Sequence, residues 1–201
     1  SEFNLDRAEQ FIKKNINKDI KFNDVQKKSK TSSAKPLYNL TDIQQTASAL
    51  FGMSPKQTLN IVQSLYERHK VLTYPRTDSR YLTSDMKNTL RDRVQAIGGD
   101  FKEITAKLLR EKDLNVKKII NNAKVSDHHA IIPTEQRPNY MSMSEMELKI
   151  YNLVAKRFLE NLLPDYKYEE TTYSFTLENK VFSAKGLKVL QEGYKVLSKE
   201  E

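Results

Sequence analysis

Val71-Leu72-Thr73-Tyr74-Pro75-Arg76-Thr77-Asp78-Ser79-Arg80-Tyr81-Leu82 is the stretch from which the rest of this chain can be read. It sets a phenol, a guanidinium, hydroxyls and a carboxylate in one irregular segment behind an apolar run. Pro75 fixes its own φ and pushes Tyr74 away from helical backbone, so Tyr74 does not sit in mid-helix. Extended backbone over 74–76 would project Tyr74 and Arg76 to the same side. A phenol and a guanidinium facing one volume suit a phosphodiester. The oxygen attacks phosphorus, and the guanidinium forks onto the non-bridging oxygens as charge builds there. Taken alone, a strand-to-loop edge with a half-buried Tyr and a solvated Arg explains the same residues at least as well.

Upstream of this stretch the pattern is helical. Thr41-Asp42-Ile43-Gln44 has capping-box form, Ile43, Ala47 and Leu50 share a face, and Gly52 breaks the helix. Ser54-Pro55-Lys56-Gln57 starts another, with Pro at the first helical position and Gln closing the box. Its inward face is Leu59, Val62, Leu65 and Tyr66. Two helices joined by a Gly-containing turn, with 71–73 as a following strand, read as a winged-helix-like core. Downstream, a helix over 84–97 carries Met86, Leu90, Val94 and Ile97, and Gly98-Gly99 end it. Asp100 and Glu103 open a further helix with Ile104 and Leu108 inward. Ser144-Glu145-Met146-Glu147 caps a long one striped by Leu148, Tyr151, Val154, Phe158 and Leu162, and Pro164 closes it.

Both ends of the chain have a different character. A helical stripe runs through Leu5, Ala8, Phe11, Ile12 and Ile16, and Ile20, Phe22 and Val25 then read as a short strand. The lysine-rich stretch 27–35 reads as a solvated connector, with a phosphate-facing strand end as the alternative. Beyond Pro164 the period becomes two: Tyr173, Phe175 and Leu177 alternate with Thr172, Ser174 and Thr176. Short strands at 181–184 and 187–190 follow, with Gly186 as a turn. The fold class is therefore α+β, a mainly helical domain inserted into a smaller β-rich one. Residues 1–35 and 165–201 form the β-rich part, and 36–164 the helical part.

Composition narrows the partners. Of 201 residues, 38% are apolar and 30% charged, which describes a water-soluble globular chain without a bilayer-spanning run or signal-peptide pattern. Ser1-Glu2-Phe3 does not read as a native start, so the chain reads as a piece of something longer. Zero Cys excludes disulfides and thiolate metal sites, and three His are too few for a convincing zinc site. The net charge of +8 favours a polyanion as partner, nucleic acid first among them.

A second chemical cluster is Ser126-Asp127-His128-His129-Ala130-Ile131-Ile132-Pro133-Thr134. A His on a polar loop running into an apolar segment is placed to meet an anion or shuttle a proton. A His pair by itself is more often an ordinary hydrogen-bonder.

Together the two clusters resemble the type IA DNA topoisomerases, especially the topoisomerase III branch. That family carries a Tyr-x-Arg-Thr/Ser-Asp motif, here Tyr74-Pro75-Arg76-Thr77-Asp78, and a later His-x-Ala-Ile-x-Pro, here His128-His129-Ala130-Ile131-Ile132-Pro133. Gln63-Ser64-Leu65-Tyr66-Glu67 precedes the tyrosine as the family's helix does. The resemblance implies that Tyr74 attacks single-stranded DNA to form a 5′-phosphotyrosine link, with Arg76 and His128 as its catalytic companions. Thr77, Asp78, Gln63 and Glu67 would support them or contact DNA. It implies relaxation of negative supercoils or decatenation without ATP, and a cytoplasmic, nucleoid-associated bacterial enzyme. The β-rich part would belong to the family's arch. The family holds Mg²⁺ in a Toprim domain through an Asp-x-Asp and a Glu. No such Asp-x-Asp stands here, so no metal is expected in this chain, and the Toprim and DNA-binding domains would be its missing partners. The chain alone is then expected to be inactive. Two rivals remain: a non-catalytic winged-helix DNA-binding protein, with Lys56, Gln57 and Asn60 facing duplex DNA, and a structural domain that docks a protein.

Overall fold

The computed structural model describes residues 21–177 and 180–198, together with Gln10 and Lys13. The stripe over 5–16 therefore lies outside the described residues, save for those two positions. The chain divides into two compact units, one of residues 1–33 with 165–196 and one of 34–164 with 197–201.

The first unit is a three-stranded antiparallel sheet in the order β1 (Lys21–Ser32), β2 (Tyr166–Leu177), β3 (Lys180–Gln191). The alternation after Pro164 forms β2, with Tyr173 buried. Residues 27–32 of the lysine-rich stretch are not connector but strand, part of β1 in register from Lys27 opposite Thr171 to Ser32 opposite Tyr166, and only 33–35 lie outside it. Its lysines find acidic partners on β2: Lys27 with Glu169 at 3.6 Å and Lys30 with Glu170 at 3.0 Å. Such cross-strand pairs stabilise a register that no local pattern reveals. Nor is Gly186 a turn. It is a buried residue within one continuous β3, opposite Thr171 of β2.

The second unit is helical. Among the described residues its α-helices are α1 (Leu40–Phe51), α2 (Pro55–Glu67), α3 (Leu90–Ala96), α4 (Lys102–Arg110) and α5 (Glu145–Leu162). α1 begins earlier than its Thr41 signal implied, because the Asn39 side chain accepts from the Asp42 N–H at 2.8 Å and takes the cap. It ends at Gly52, whose φ of 65° lets the Gly52 and Met53 N–H groups turn back onto Ser48 and Ala47. α2 and α5 both carry the capping boxes read from sequence, at Ser54/Gln57 and Ser144/Glu147. The helix expected over 84–97 is a 3₁₀ segment, Ser84–Thr89, leading into α3. Where that segment ends, the Thr89 hydroxyl donates to Met86 O and accepts from Arg93 Nε. The expected strand at 71–73 reduces to a single bridge, Leu72 with Pro133. α2 packs on α1 and α5, and α4 on α3 and α5. Ile43, Val62, Leu65, Leu90, Val94, Tyr151 and Phe158 fill the core between them.

Candidate active site

α2 sets the geometry of the tyrosine. Its end is locked to α5 by Glu147, whose carboxylate accepts from the Ser64 hydroxyl at 2.8 Å and from Arg68 at 3.0 Å, with His69 at 3.2 Å. Burial pushes the Glu147 carboxyl up, but Ser144, Ser64, His69 and Arg68 outweigh it and hold it below its ordinary value. The chain then turns back, with Val71 N–H on Leu65 O at 2.9 Å, and runs as the buried segment Val71-Leu72-Thr73 into Tyr74.

Hydroxyl groups join the two motif loops. Thr73 N–H donates to Ile132 O, its hydroxyl donates to Ala130 O at 3.2 Å, and Ile132 N–H donates back to that hydroxyl at 3.0 Å. The Thr77 hydroxyl donates to His128 O at 2.9 Å, and that of Ser79 to Lys124 O at 2.8 Å. All three side chains are buried. Asn39 completes the support, donating to Asp78 O at 3.1 Å while capping α1.

This stitching brings Tyr74 and His128 together, although 53 residues lie between them in sequence. Their ring centroids are 4.2 Å apart, and Tyr66 of α2 meets Tyr74 edge-on at 5.5 Å. Arg76 behaves differently from the extended expectation. Thr77 N–H donates to Pro75 O at 3.1 Å, a tight turn centred on Arg76. Arg76 is exposed and makes no hydrogen bond or ion pair among the described residues. The anchored Thr77 hydroxyl draws the backbone toward His128 and so breaks the extended run. Asp78 is exposed, and among the described residues only its backbone carbonyl is engaged. On α2, Gln63 Nε2 donates to Glu67, and the buried Gln63 Oε1 has no hydrogen-bond partner among the described residues.

An open cleft of about 630 Å³ lies beside Tyr74, lined also by Tyr66, Glu67, Lys70, Arg93, His129 and Thr134. Arg93 is a buried cation held by Thr89, by Pro133 O at 3.1 Å and by Glu135 at 3.0 Å. Burial lowers its pKa, and Glu135 opposes the shift. His129 Nδ1 lies 2.7 Å from Ala130 O. A carbonyl only accepts, so Nδ1 carries the proton. Burial chiefly, then Arg93 and His128, lowers the His129 pKa against the Ala130 carbonyl and Asp85. Arg93 was not a candidate from sequence, and His129 stood there within the second cluster but behind His128. The signal for Arg93 was a charge three residues after Leu90 on the apolar face of α3. Among the described residues no group of three or more His, Cys, Asp or Glu side chains gathers to hold a metal ion.

The sequence profile of the DNA topoisomerase family matches residues 1–201. The chain is 51% identical over 174 residues to DNA topoisomerase 3 of Staphylococcus haemolyticus, covering 86% of this chain and 24% of that protein. It is 43% identical over 194 residues to DNA topoisomerase 3 of Bacillus cereus, covering 96% of this chain and 27% of that one. Its fold matches full-length topoisomerase I from Thermotoga maritima with a TM-score of 0.65 at 22% identity, over 96% of this chain and 32% of the other. The chain belongs to the DNA topoisomerases of type IA, in the topoisomerase III branch. It spans about a quarter of the length of the topoisomerase 3 relatives it matches.

Proposed function

We propose that this chain carries the strand-cleaving tyrosine of a type IA topoisomerase. One observation carries the reading: the Tyr74 and His128 rings, from two distant motif loops, lie 4.2 Å apart at a tilt of 37°, and Tyr74 lines an open cleft. The Tyr74 oxygen attacks a phosphodiester of single-stranded DNA. A phosphotyrosine bond forms on the 5′ side as the phenol gives up its proton to solvent, the P–O bond to the 3′ carbon's oxygen breaks, and that oxygen takes a proton from solvent and leaves as a 3′-hydroxyl, so no proton is gained or lost overall. Reversal reseals the strand. One ester replaces another, so no ATP is consumed.

His128, exposed beside the phenol, contacts the scissile phosphate. Arg76, unpaired among the described residues, reaches the non-bridging oxygens, and losing such a donor costs about 3–4 kcal/mol of barrier. Thr77 positions His128 through its carbonyl, and Asp78, Gln63 and Glu67 support the loop and helix around the phenol. The α1–α2 pair with 71–73 serves as the winged-helix-like core of the helical domain, 36–164. The β-rich part, 1–35 and 165–201, belongs to the arch that the passing strand traverses during relaxation or decatenation. The enzyme works on DNA in the bacterial cytoplasm. The acidic Toprim domain that holds Mg²⁺ and the DNA-binding domain lie outside this chain, which alone does not relax DNA.

The test is Tyr74→Phe in the longer protein that contains this chain. Covalent capture of a labelled single strand disappears, and single-strand affinity stays near wild type, since one hydroxyl is lost. Covalent adducts formed by the variant refute Tyr74 as the nucleophile.

A further inference from the structure

Lys70 stands out in the cleft beside Tyr74. Among the described residues it is the one non-glycine with positive φ, 56°, a conformation that disfavours any residue with a Cβ. Its neighbours hold it there from both sides. Arg68 and His69 are bound to Glu147, Val71 N–H is bound to Leu65 O, and the Thr134 hydroxyl donates to the Lys70 carbonyl at 2.6 Å. Glycine would take this turn after α2 without strain, so the fold gains nothing locally from a lysine. Backbone strain that its surroundings over-determine is a pointer to use.

The other charged groups of the cleft are engaged. Arg93 is spent on Thr89, Pro133 O and Glu135, and the Glu67 carboxylate accepts from Gln63. His129 donates its Nδ1 proton to Ala130 O. Lys70 lines the same cleft, is exposed, and its ammonium has no acidic partner among the described residues. An unpaired ammonium in a cleft shared with a nucleophilic phenol is complementary to a phosphate.

We propose that Lys70 is a phosphate-binding residue that grips a DNA phosphodiester neighbouring the one Tyr74 attacks, and so sets the strand's register in the cleft. This rests on the strand-cleaving reading above. The left-handed turn sets Lys70 among the residues that line the cleft at the end of α2, and the Glu147 lock on Arg68 and His69 fixes the backbone just before it. Lys70 binds and orients; it takes no part in breaking the P–O bond.

The experiment measures single-stranded oligonucleotide binding across a salt series, with covalent capture, for the longer protein containing this chain and its Lys70→Gln and Lys70→Gly variants. One lost phosphate contact lowers the log–log salt slope by about 0.7. From 50 to 200 mM salt the wild type should therefore lose roughly 2.6-fold more affinity than either variant. Lys70→Gly should keep or raise the melting temperature, which separates lost contact from lost fold. A scan of uncharged methylphosphonate linkages should find one position, next to the cleavage point, where wild type and variants bind alike. Wild-type slopes in both variants, or no such position, overturn the assignment while captured adducts leave Tyr74 untouched. An absence of adducts in the wild type strikes the cleavage reading itself.

Discussion

Replacing Glu147 by Gln removes one charge from the junction of α2 and α5. Both carboxylate oxygens are in use: Oε1 accepts from Ser64 and Arg68, while Oε2 accepts from Ser144 N–H and faces His69. Whichever way the Gln amide is turned, its NH₂ confronts donors on one side. The residue is only 5% exposed, so water does not replace what is lost. Hydrogen bonds to a charged acceptor contribute about 1.5–3 kcal/mol. The share from Arg68 is small, under about 1 kcal/mol, because its side chain is 67% exposed. Glu147→Gln should cost about 2–3 kcal/mol at pH 7. With a urea m-value of about 2 kcal/mol/M, the unfolding midpoint falls by roughly 1–1.5 M. The folded-state pKa of Glu147 is depressed, so its contribution is complete above the unfolded carboxylate value of about 4.3 and is lost as pH falls through the folded value. The gap between wild type and variant should therefore close toward pH 3. A gap that is equal at pH 3 and pH 7, or below about 0.5 kcal/mol at pH 7, would refute the charged lock.

Two further outcomes follow from the site. Thr77→Val keeps the shape but leaves His128 O and Ser79 N–H without their partner, which costs about 1–3 kcal/mol in urea unfolding and slows covalent capture in the longer protein. The His129 imidazole should titrate below its ordinary value of about 6.5 when followed by NMR. Its folded pKa is depressed, so the stability it contributes is present above about pH 6.5 and is lost as pH falls through the folded value. A His129→Gln variant flattens that part of the stability profile, and a midpoint at or above 6.5 contradicts the buried neutral ring.

What the sequence disclosed was local chemistry. Ser54 with Gln57 and Ser144 with Glu147 carry their capping signal within four residues, and both boxes form. Alternation disclosed the second half of β2, from Thr172 to Leu177, but not its start at Tyr166. The lysines of β1 looked like a solvated run because their partners, Glu169 and Glu170, lie more than a hundred residues away. Gly186 looked like punctuation because its burial depends on Thr171 of the neighbouring strand. In the site, the two motifs were visible through their resemblance, and the fold sets the Tyr74 and His128 rings 4.2 Å apart. The cleft was not visible. Arg93 and His129 are ordinary until the fold brings them to one cleft with Tyr66 and Glu67 of α2, and the turn at Arg76 accompanies a hydroxyl bond to a distant carbonyl.

The seam between the motif loops has an evolutionary corollary. Thr73, Thr77 and Ser79 end on the main-chain oxygens of residues 130, 128 and 124, not on side chains. A peptide oxygen is supplied by any amino acid, so changes across this seam need no compensating partner. Methods that infer contact from correlated substitution should be blind here, at the place where the chain brings its two halves of chemistry together.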